Sequence, residues 1–242
     1  MHNLESVHKK VIESIDSTSA HVARFFKTGA GEYGEHDSFL GVTVPTIRKL
    51  VKIFENLTQY EIAHLLSSKF NEERLLALLI LVKQYQKGSA AEKEAIYNFY
   101  LTHTDYVNNW NLVDSSAHHI VGEYLFSKDI LPLIQLSNSS ILWERRIAIV
   151  ATWYFIRQSK IQPTFTIAQT LFNDREDLIH KATGWMLHEC GKKNESAMIK
   201  FLTTHIHEIP RTALRYAIER LPSESRSQIM MSNQRNPLFK NE

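Results

Sequence analysis

Apolar residues recur along this chain at the three- and four-residue spacing of amphipathic helices. No stretch alternates apolar and polar residues for long enough to predict a β-strand, so the pattern predicts an all-α protein of about a dozen helices. Thr58 with Glu61 and Ser89 with Glu92 match capping boxes, and Pro45 suits the first position of a helix. Further predicted N-caps are Asn71, Ser140 and Asp174.

Four of the predicted helices place one or two basic residues just ahead of an apolar run. They are NEERLLALLIL from Asn71, LWERRIAIVAT from Leu142, LIHKATGWMLH from Leu178 and PRTALRYAIER from Pro210. Arg74 lies 72 residues before Arg146, and Arg146, Lys181 and Arg215 follow one another at 35 and 34 residues. A period near 35 predicts an α-solenoid of stacked antiparallel helix pairs whose inner helices line a concave surface. We therefore expect one repeat domain over residues 1–242, with a loosely held tail from about residue 232.

Composition excludes several classes of protein. The single cysteine, Cys190, excludes an internal disulfide and multi-cysteine metal motifs, and it indicates a reducing compartment. The chain has neither a signal-peptide core nor an apolar run of about 18 residues, which predicts a soluble cytoplasmic protein with no membrane partner. His118 and His119 are adjacent and cannot both face one metal from a helix, so we expect no metal. The net charge of +2 does not by itself indicate a nucleic-acid partner.

Gly29, Gly31 and Gly34 match the G-x-G-x-x-G dinucleotide fingerprint. That motif binds nucleotides only where it follows a strand and opens a helix, whereas here it follows the helical segment HVARFFK. We interpret residues 28–39 as a flexible connection between helices that can contact a ligand.

Trp110 and Asp114 lie four residues apart in WNLVD, on neighbouring positions of one helix. Trp110 shares a stripe with Val113 and Ala117, which favours core packing, although an indole beside a carboxylate also suits a cationic ligand. Asp114 lies next to that stripe. It is either a solvated carboxylate in the first turn or a ligand-facing one.

Two later segments add candidates. Arg145 and Arg146 stand near a helix start, where positive charge is disfavoured by about 0.3–1 kcal/mol, so they indicate either a bound anion such as phosphate or an internal ion pair with Glu144 or Asp114. Trp185 follows a glycine inside a helix, which costs about 1 kcal/mol relative to alanine and favours a close approach by another group. Core packing of Trp185 remains open.

Together these residues resemble the alkylpurine DNA glycosylases of the AlkD type, which are built from HEAT-like helical repeats. The resemblance spans nearly the whole chain, through FLGVTVPTIRKL, VNNWNLVDSSAHHIVGEYL, LWERRIAIVATWYFIR, HKATGWMLHECGK and PRTALRYAIERLP. Trp110 and Asp114 match the family's W-x-x-x-D, Arg146 its arginine, and Trp185 its second tryptophan.

The resemblance implies a monofunctional DNA glycosylase that hydrolyses the N-glycosidic bond of cationic alkylated purines, such as 7-methylguanine and 3-methyladenine, in duplex DNA without extruding the lesion. Asp114 would stabilise an oxocarbenium-like sugar and place a water, with Trp110 and Trp185 against the deoxyribose. A basic concave face would bind DNA phosphates through Arg146, Arg145, Lys181, Lys192, Lys193, Arg211 and Arg215. We expect a monomer without a cofactor.

Two positions depart from the family pattern. Phe25, expected near the lesion together with Thr43, stands where the family prototype has a tyrosine, and His188 stands where it has an arginine. The resemblance therefore implies that any contribution of a hydroxyl near the lesion is absent, and it leads us to expect one weaker phosphate contact. Two other functions remain open: a non-catalytic repeat protein that binds bent or branched DNA, and a helical-repeat adaptor for a protein partner.

Overall fold

A computed structural model describes residues 4–233 of the chain. Within that range every regular element is helical, and the one β-feature is an isolated bridge between Ser38 and Phe70. The all-α prediction is therefore confirmed. The chain divides into two compact units, one ending at Ile120 and one beginning at Val121.

In the first unit, α5 is the central helix and packs against α3, α4, α6 and α7. A 3-10 turn, Thr104–Tyr106, leads into α7. The helices are α1 (Leu4–Glu13), α2 (Ser19–Ala23), α3 (Val44–Ile53), α4 (Gln59–Leu66), α5 (Asn71–Lys87), α6 (Ala90–Leu101) and α7 (Trp110–Ala117).

The second unit stacks α10, α12 and α14 in succession, and α9, α11, α13 and α15 pack beside them. The helices are α8 (Glu123–Leu125), α9 (Leu131–Ser137), α10 (Leu142–Arg157), α11 (Gln162–Thr170), α12 (Asp177–Lys193), α13 (Glu195–Thr204), α14 (Arg211–Ala217) and α15 (Ser223–Asn233). A 3-10 turn, Leu171–Asn173, precedes α12, and a π-helical turn, His118–Gly122, precedes α8. The helices that begin at residues 71, 142, 177 and 211 are those of the sequence repeat, so helical repeats build this fold.

Helix starts follow the sequence wherever the capping chemistry is local. Thr58 and Ser89 both form complete capping boxes, as predicted, and Pro45 lies in the first turn of α3. Three predicted N-caps are wrong by one or two residues: Asn71 is the first residue of α5, and the caps near Ser140 and Asp174 are Ile141 and Glu176. The Asn71 amide is instead held by Asp37, and the Asp174 carboxylate by Arg145.

Two glycines of the second unit allow helices to approach closely. A β-carbon at Gly184 would lie 2.4 Å from the Ala213 carbonyl oxygen and 2.5 Å from Tyr216 Cβ. A β-carbon at Gly122 would lie 2.2 Å from the Ala151 carbonyl oxygen. The group that approaches Gly184 is thus the backbone of α14, and it explains why glycine is kept inside α12.

The last described helix, α15, includes Ser232 and runs to Asn233, whose amide donates to the Ile206 carbonyl at 2.7 Å. The rest of the predicted tail lies outside the described residues. Among residues 4–233, none of the helices combines the length and apolar character that a bilayer crossing demands.

Candidate functional site

Trp110 and Asp114 lie on the more open side of α7. The Asn109 side chain caps this helix by accepting a hydrogen bond from the Trp110 backbone N–H at 2.7 Å. Leu112, Val113 and the other inward residues of α7 are buried, whereas Trp110 and Asp114 are half-buried. One turn of this helix therefore presents an indole and a carboxylate from a rigid, packed element.

Asp114 lies close enough to the buried Tyr100 to act on its pKa. Tyr100 is fully buried, and its hydroxyl shares a 2.9 Å hydrogen bond with Ser116 Oγ. Burial raises the pKa of Tyr100, and the Asp114 carboxylate adds a smaller contribution in the same direction. The phenol therefore stays protonated at neutral pH and does not compete with Asp114 as an anion.

Phe25 and Thr43 also lie in the first unit. Phe25 is 56% exposed, with the Arg24 guanidinium carbon 4.7 Å from its ring centroid. Thr43 donates from its backbone N–H and its hydroxyl to Asp16, each at 2.8 Å, and so anchors the start of α3. The Phe25 ring is therefore accessible to a ligand, whereas the Thr43 hydroxyl already donates a hydrogen bond that anchors α3.

Residues 28–39, which we call the glycine loop, form a series of turns between α2 and α3. Its own carboxylates occupy its backbone donors: Gly29 N–H donates to Glu32, and Gly31 N–H to Glu35, each at 2.8 Å. A nucleotide phosphate would need such donors, so the structure supports the helix–helix connection over a nucleotide site.

Phe26, just before the glycine loop, stacks on Trp110 with ring centroids 5.2 Å apart and an interplanar angle of 22°. Its other neighbour is Phe39, at 4.7 Å and 30°. The sequence did not single out Phe26. Its one signal there is its place beside Phe25, and helical periodicity does not decide which of two adjacent rings faces a partner.

In the second unit, Trp185 is half-buried on α12 and meets Trp153 of α10 edge to face, with centroids 4.9 Å apart and planes at 62°. Trp153 was not predicted as a site residue. It lies 32 residues before Trp185, close to the repeat period, and that spacing is a signal that could have found it.

Arg145 and Arg146 are both engaged within the second unit. Arg145 Nε donates to Asp174 Oδ2 at 2.6 Å, a carboxylate the sequence had not matched with it. Arg146 is only 5% exposed, and its Nη1 donates to the Leu178 carbonyl at 2.7 Å. Both arginines therefore link α10 to α12 or to the turn before it. Their role toward phosphate remains a prediction.

The lysines among the phosphate candidates also have neighbours. Lys181 pairs with Asp177 at 2.6 Å, Lys192 pairs with Glu189 at 2.5 Å, and Lys193 donates to the Arg157 carbonyl at 3.3 Å. These contacts lie at exposed or partly exposed positions, where ion pairs exchange readily with other partners.

Arg211 and Arg215 are exposed and line a cavity of about 500 Å³ together with Arg175, which the sequence had not indicated. The lining therefore holds three arginines and one carboxylate residue, Asp174, which is itself paired with Arg145, and this balance of charge favours an anion such as phosphate. His180 also lines the cavity, and its Nε2 contacts the Asp174 carbonyl at 2.7 Å.

His188, in the position where the resemblance led us to expect an arginine, is half-buried on α12. Burial lowers the pKa of His188, and the nearby Lys192 charge acts in the same direction. The imidazole is therefore mostly neutral at neutral pH, which fits the expected weakening of one phosphate contact. Within residues 4–233, no three His, Cys, Asp or Glu side chains group in a way that could hold a metal ion.

Stacked helical repeats define this chain as a helical-repeat protein. The family model for the DNA alkylation repair enzyme matches residues 12–221, and the chain belongs to that family. A solved structure described as "Predicted DNA alkylation repair enzyme from Enterococcus faecalis" is similar, with a TM-score of 0.64 and 16% identity over 85% of this chain and 95% of that chain. At that identity the likeness shows the fold. No curated protein matches the chain.

Proposed function

We propose that this member of the DNA alkylation repair family is a monofunctional glycosylase that releases cationic alkylated purines, such as 7-methylguanine and 3-methyladenine, from duplex DNA. The observation that carries the proposal is the placement of Trp110 and Asp114, half-buried and four residues apart on α7, whose inward face is packed. Family membership supports alkylated DNA as the class of substrate.

The chemistry requires little more than a well-placed carboxylate. Alkylation gives the purine a positive charge, so it leaves without a strong general acid. The developing oxocarbenium-like sugar must be stabilised, and a water must be positioned to attack it. A carboxylate such as Asp114 at about 4 Å from a unit positive charge contributes on the order of 4 kcal/mol at an effective dielectric near 20. Felt only in the transition state, that energy corresponds to about a thousandfold in rate.

The indoles and arginines would bind rather than react. Trp110 would attract the cationic lesion through its ring, contributing about 0.5–2 kcal/mol. Trp185 is proposed, from the family resemblance alone, as a second indole that contacts DNA. Among the basic residues of the second unit, we favour Arg211 and Arg215 as phosphate partners, because both are exposed and lie beside Arg175. Each neutralised phosphate adds about 0.9 to the slope of log affinity against log salt.

The test is release of 7-methylguanine from methylated duplex DNA under single-turnover conditions. We expect the wild-type protein to release the base, and Asp114→Asn to lower the rate on the order of a thousandfold while duplex affinity changes little. The matched control is Asp105→Asn, which neutralises an exposed carboxylate of the same unit and should leave release unchanged.

Each alternative has its own outcome. Normal release by Asp114→Asn would refute the assigned mechanism. Duplex binding with steep salt dependence but no release by the wild-type protein would indicate the non-catalytic DNA-binding function. Absence of duplex binding would instead favour the protein adaptor.

A further inference from the structure

Trp110 does not stand alone at the start of α7, because Phe26 covers one face of its indole. The two rings lie 5.2 Å apart and within 22° of parallel, and Phe39 extends the stack behind Phe26 at 4.7 Å. An offset stack of this kind restricts both the plane and the rotation of the indole. The face turned to Phe26 is not available to a ligand, so contact with a deoxyribose or a cationic base must use the remaining surface.

The segment that carries this stack is anchored to the same helix start. Asp37, at the end of the glycine loop, has a fully buried side chain that accepts a hydrogen bond from Asn109 Nδ2 at 2.5 Å. The amide oxygen of the same side chain, Asn109 Oδ1, accepts the Trp110 backbone N–H at 2.7 Å. One side chain therefore connects the loop carboxylate to the backbone of Trp110.

The central helix fixes Asp37 from the other side. Asn71 Nδ2 donates to Asp37 at 2.8 Å, and Arg74, itself buried, forms an ion pair with the same carboxylate. A buried carboxylate held by a guanidinium and two amides resists displacement, because removing any donor leaves charge unsatisfied in the interior. The glycine loop is thus locked to the starts of both α5 and α7.

Gly34 lets the loop pass this close. A β-carbon there would lie 2.7 Å from the Lys27 carbonyl oxygen and 3.5 Å from Asn109 Nδ2. The Gly34 N–H donates to the same Lys27 carbonyl at 2.8 Å, so the turn closes tightly on Lys27 and lies in contact with Asn109. Gly34 is the glycine of the pattern that this turn requires.

From this geometry we infer that Phe26 is a positioning residue for Trp110: it backs one face of the indole and holds the other surface of Trp110 toward the substrate, with the Asp37–Asn109 link keeping the backbone in place. The inference rests on the proposed glycosylase function and deepens it. It also assigns a role to the glycine loop, which helps to hold Trp110 in position.

The test compares Phe26→Leu, which keeps an apolar side chain but removes the ring, with Phe26→Tyr, which restores it. Phe26→Leu should slow single-turnover base release on the order of 10- to 100-fold, since small misplacements of a contacting group have effects of that size. Its duplex affinity should change less than threefold, and Phe26→Tyr should recover most of the rate. The matched control is Phe99→Leu, a half-buried ring of the same unit that stacks on His103 at 4.0 Å.

A second readout follows the indole itself. Phe26→Leu should change the near-ultraviolet circular dichroism of the protein. The same substitution should change it much less in a Trp110→Phe background, because the indole signal that depends on Phe26 is then absent. Equal release rates for Phe26→Leu and Phe99→Leu, or additive spectra in this cycle, would overturn the inference.

Failure of the proposed function looks different from failure of the inference. A wild-type protein that binds duplex but releases no base sinks the glycosylase proposal. The positioning role is then decided by the near-ultraviolet circular dichroism of the same Phe26–Trp110 cycle, which does not depend on base release. Non-additive spectral changes support it, and additive changes overturn it.

Discussion

Replacing Gly184 by alanine tests the packing that seats Trp185. The new β-carbon would lie 2.4 Å from the Ala213 carbonyl oxygen and 2.5 Å from Tyr216 Cβ, so α12 and α14 must move apart. Overpacking of this kind costs about 1–3 kcal/mol, and the better helix propensity of alanine offsets about 1 kcal/mol. We expect a net loss of up to about 2 kcal/mol, which corresponds to a fall of up to about 8 °C in melting temperature for a chain of this size.

Gly191→Ala is the matched control, because it lies on the same helix. Its β-carbon would meet Met198 Cε at 2.9 Å, the flexible end of a side chain that can rotate away. Only the propensity gain then remains, and we expect no loss of stability. The measurement is the thermal unfolding of both variants under the same conditions, monitored by circular dichroism. A Gly184→Ala protein that melts at or above Gly191→Ala would refute the close-packing argument.

The remaining predictions concern charge. His188 has a pKa lowered by burial, so its neutral form is favoured in the folded state, and stability should fall as pH drops below the unfolded value of 6.5. Melting temperatures between pH 7.5 and 5 should therefore decline less in His188→Gln. Arg145→Ala leaves the Asp174 carboxylate without its guanidinium and should cost on the order of 3 kcal/mol of stability. By contrast, Arg215→Ala should leave the melting temperature unchanged and lower the salt slope of duplex binding by about 0.9; a lower melting temperature or an unchanged slope would count against its phosphate role.

The sequence predicted those parts of the fold that depend on near neighbours. The capping boxes at Thr58 and Ser89 need only residues three positions away, and both form. Asn71 does not cap α5, and its Oδ1, the atom that would accept a helix N–H, accepts instead from Asn111, 40 residues later. Arg145 likewise pairs with Asp174, 29 residues later. Such partners depend on how repeats are set against one another, which helical spacing alone does not determine.

The sequence likewise predicted only those parts of the candidate site that depend on near neighbours. That Trp110 and Asp114 share one helix follows from their four-residue spacing. The stack of Phe26 on Trp110 could not be predicted, because the spacing of HVARFFK does not decide whether Phe25 or Phe26 meets a ring 84 or more residues later in the chain. The resemblance to a known family indicated the chemistry of the site, and the structure shows which residues hold Trp110 in place.

The buried carboxylate of Asp37 also affects the folding and unfolding rates that we expect for the first unit. Its partners Asn71, Arg74 and Asn109 lie 34, 37 and 72 residues away along the chain. Contacts of such sequence separation form only after distant helices have met, so Asp37 remains a hydrated charge until α5 and α7 are together. Interactions that arise after the folding barrier act mainly on the unfolding rate. The link from Asp37 to the start of α7 should therefore lengthen the lifetime of the folded state more than it hastens folding.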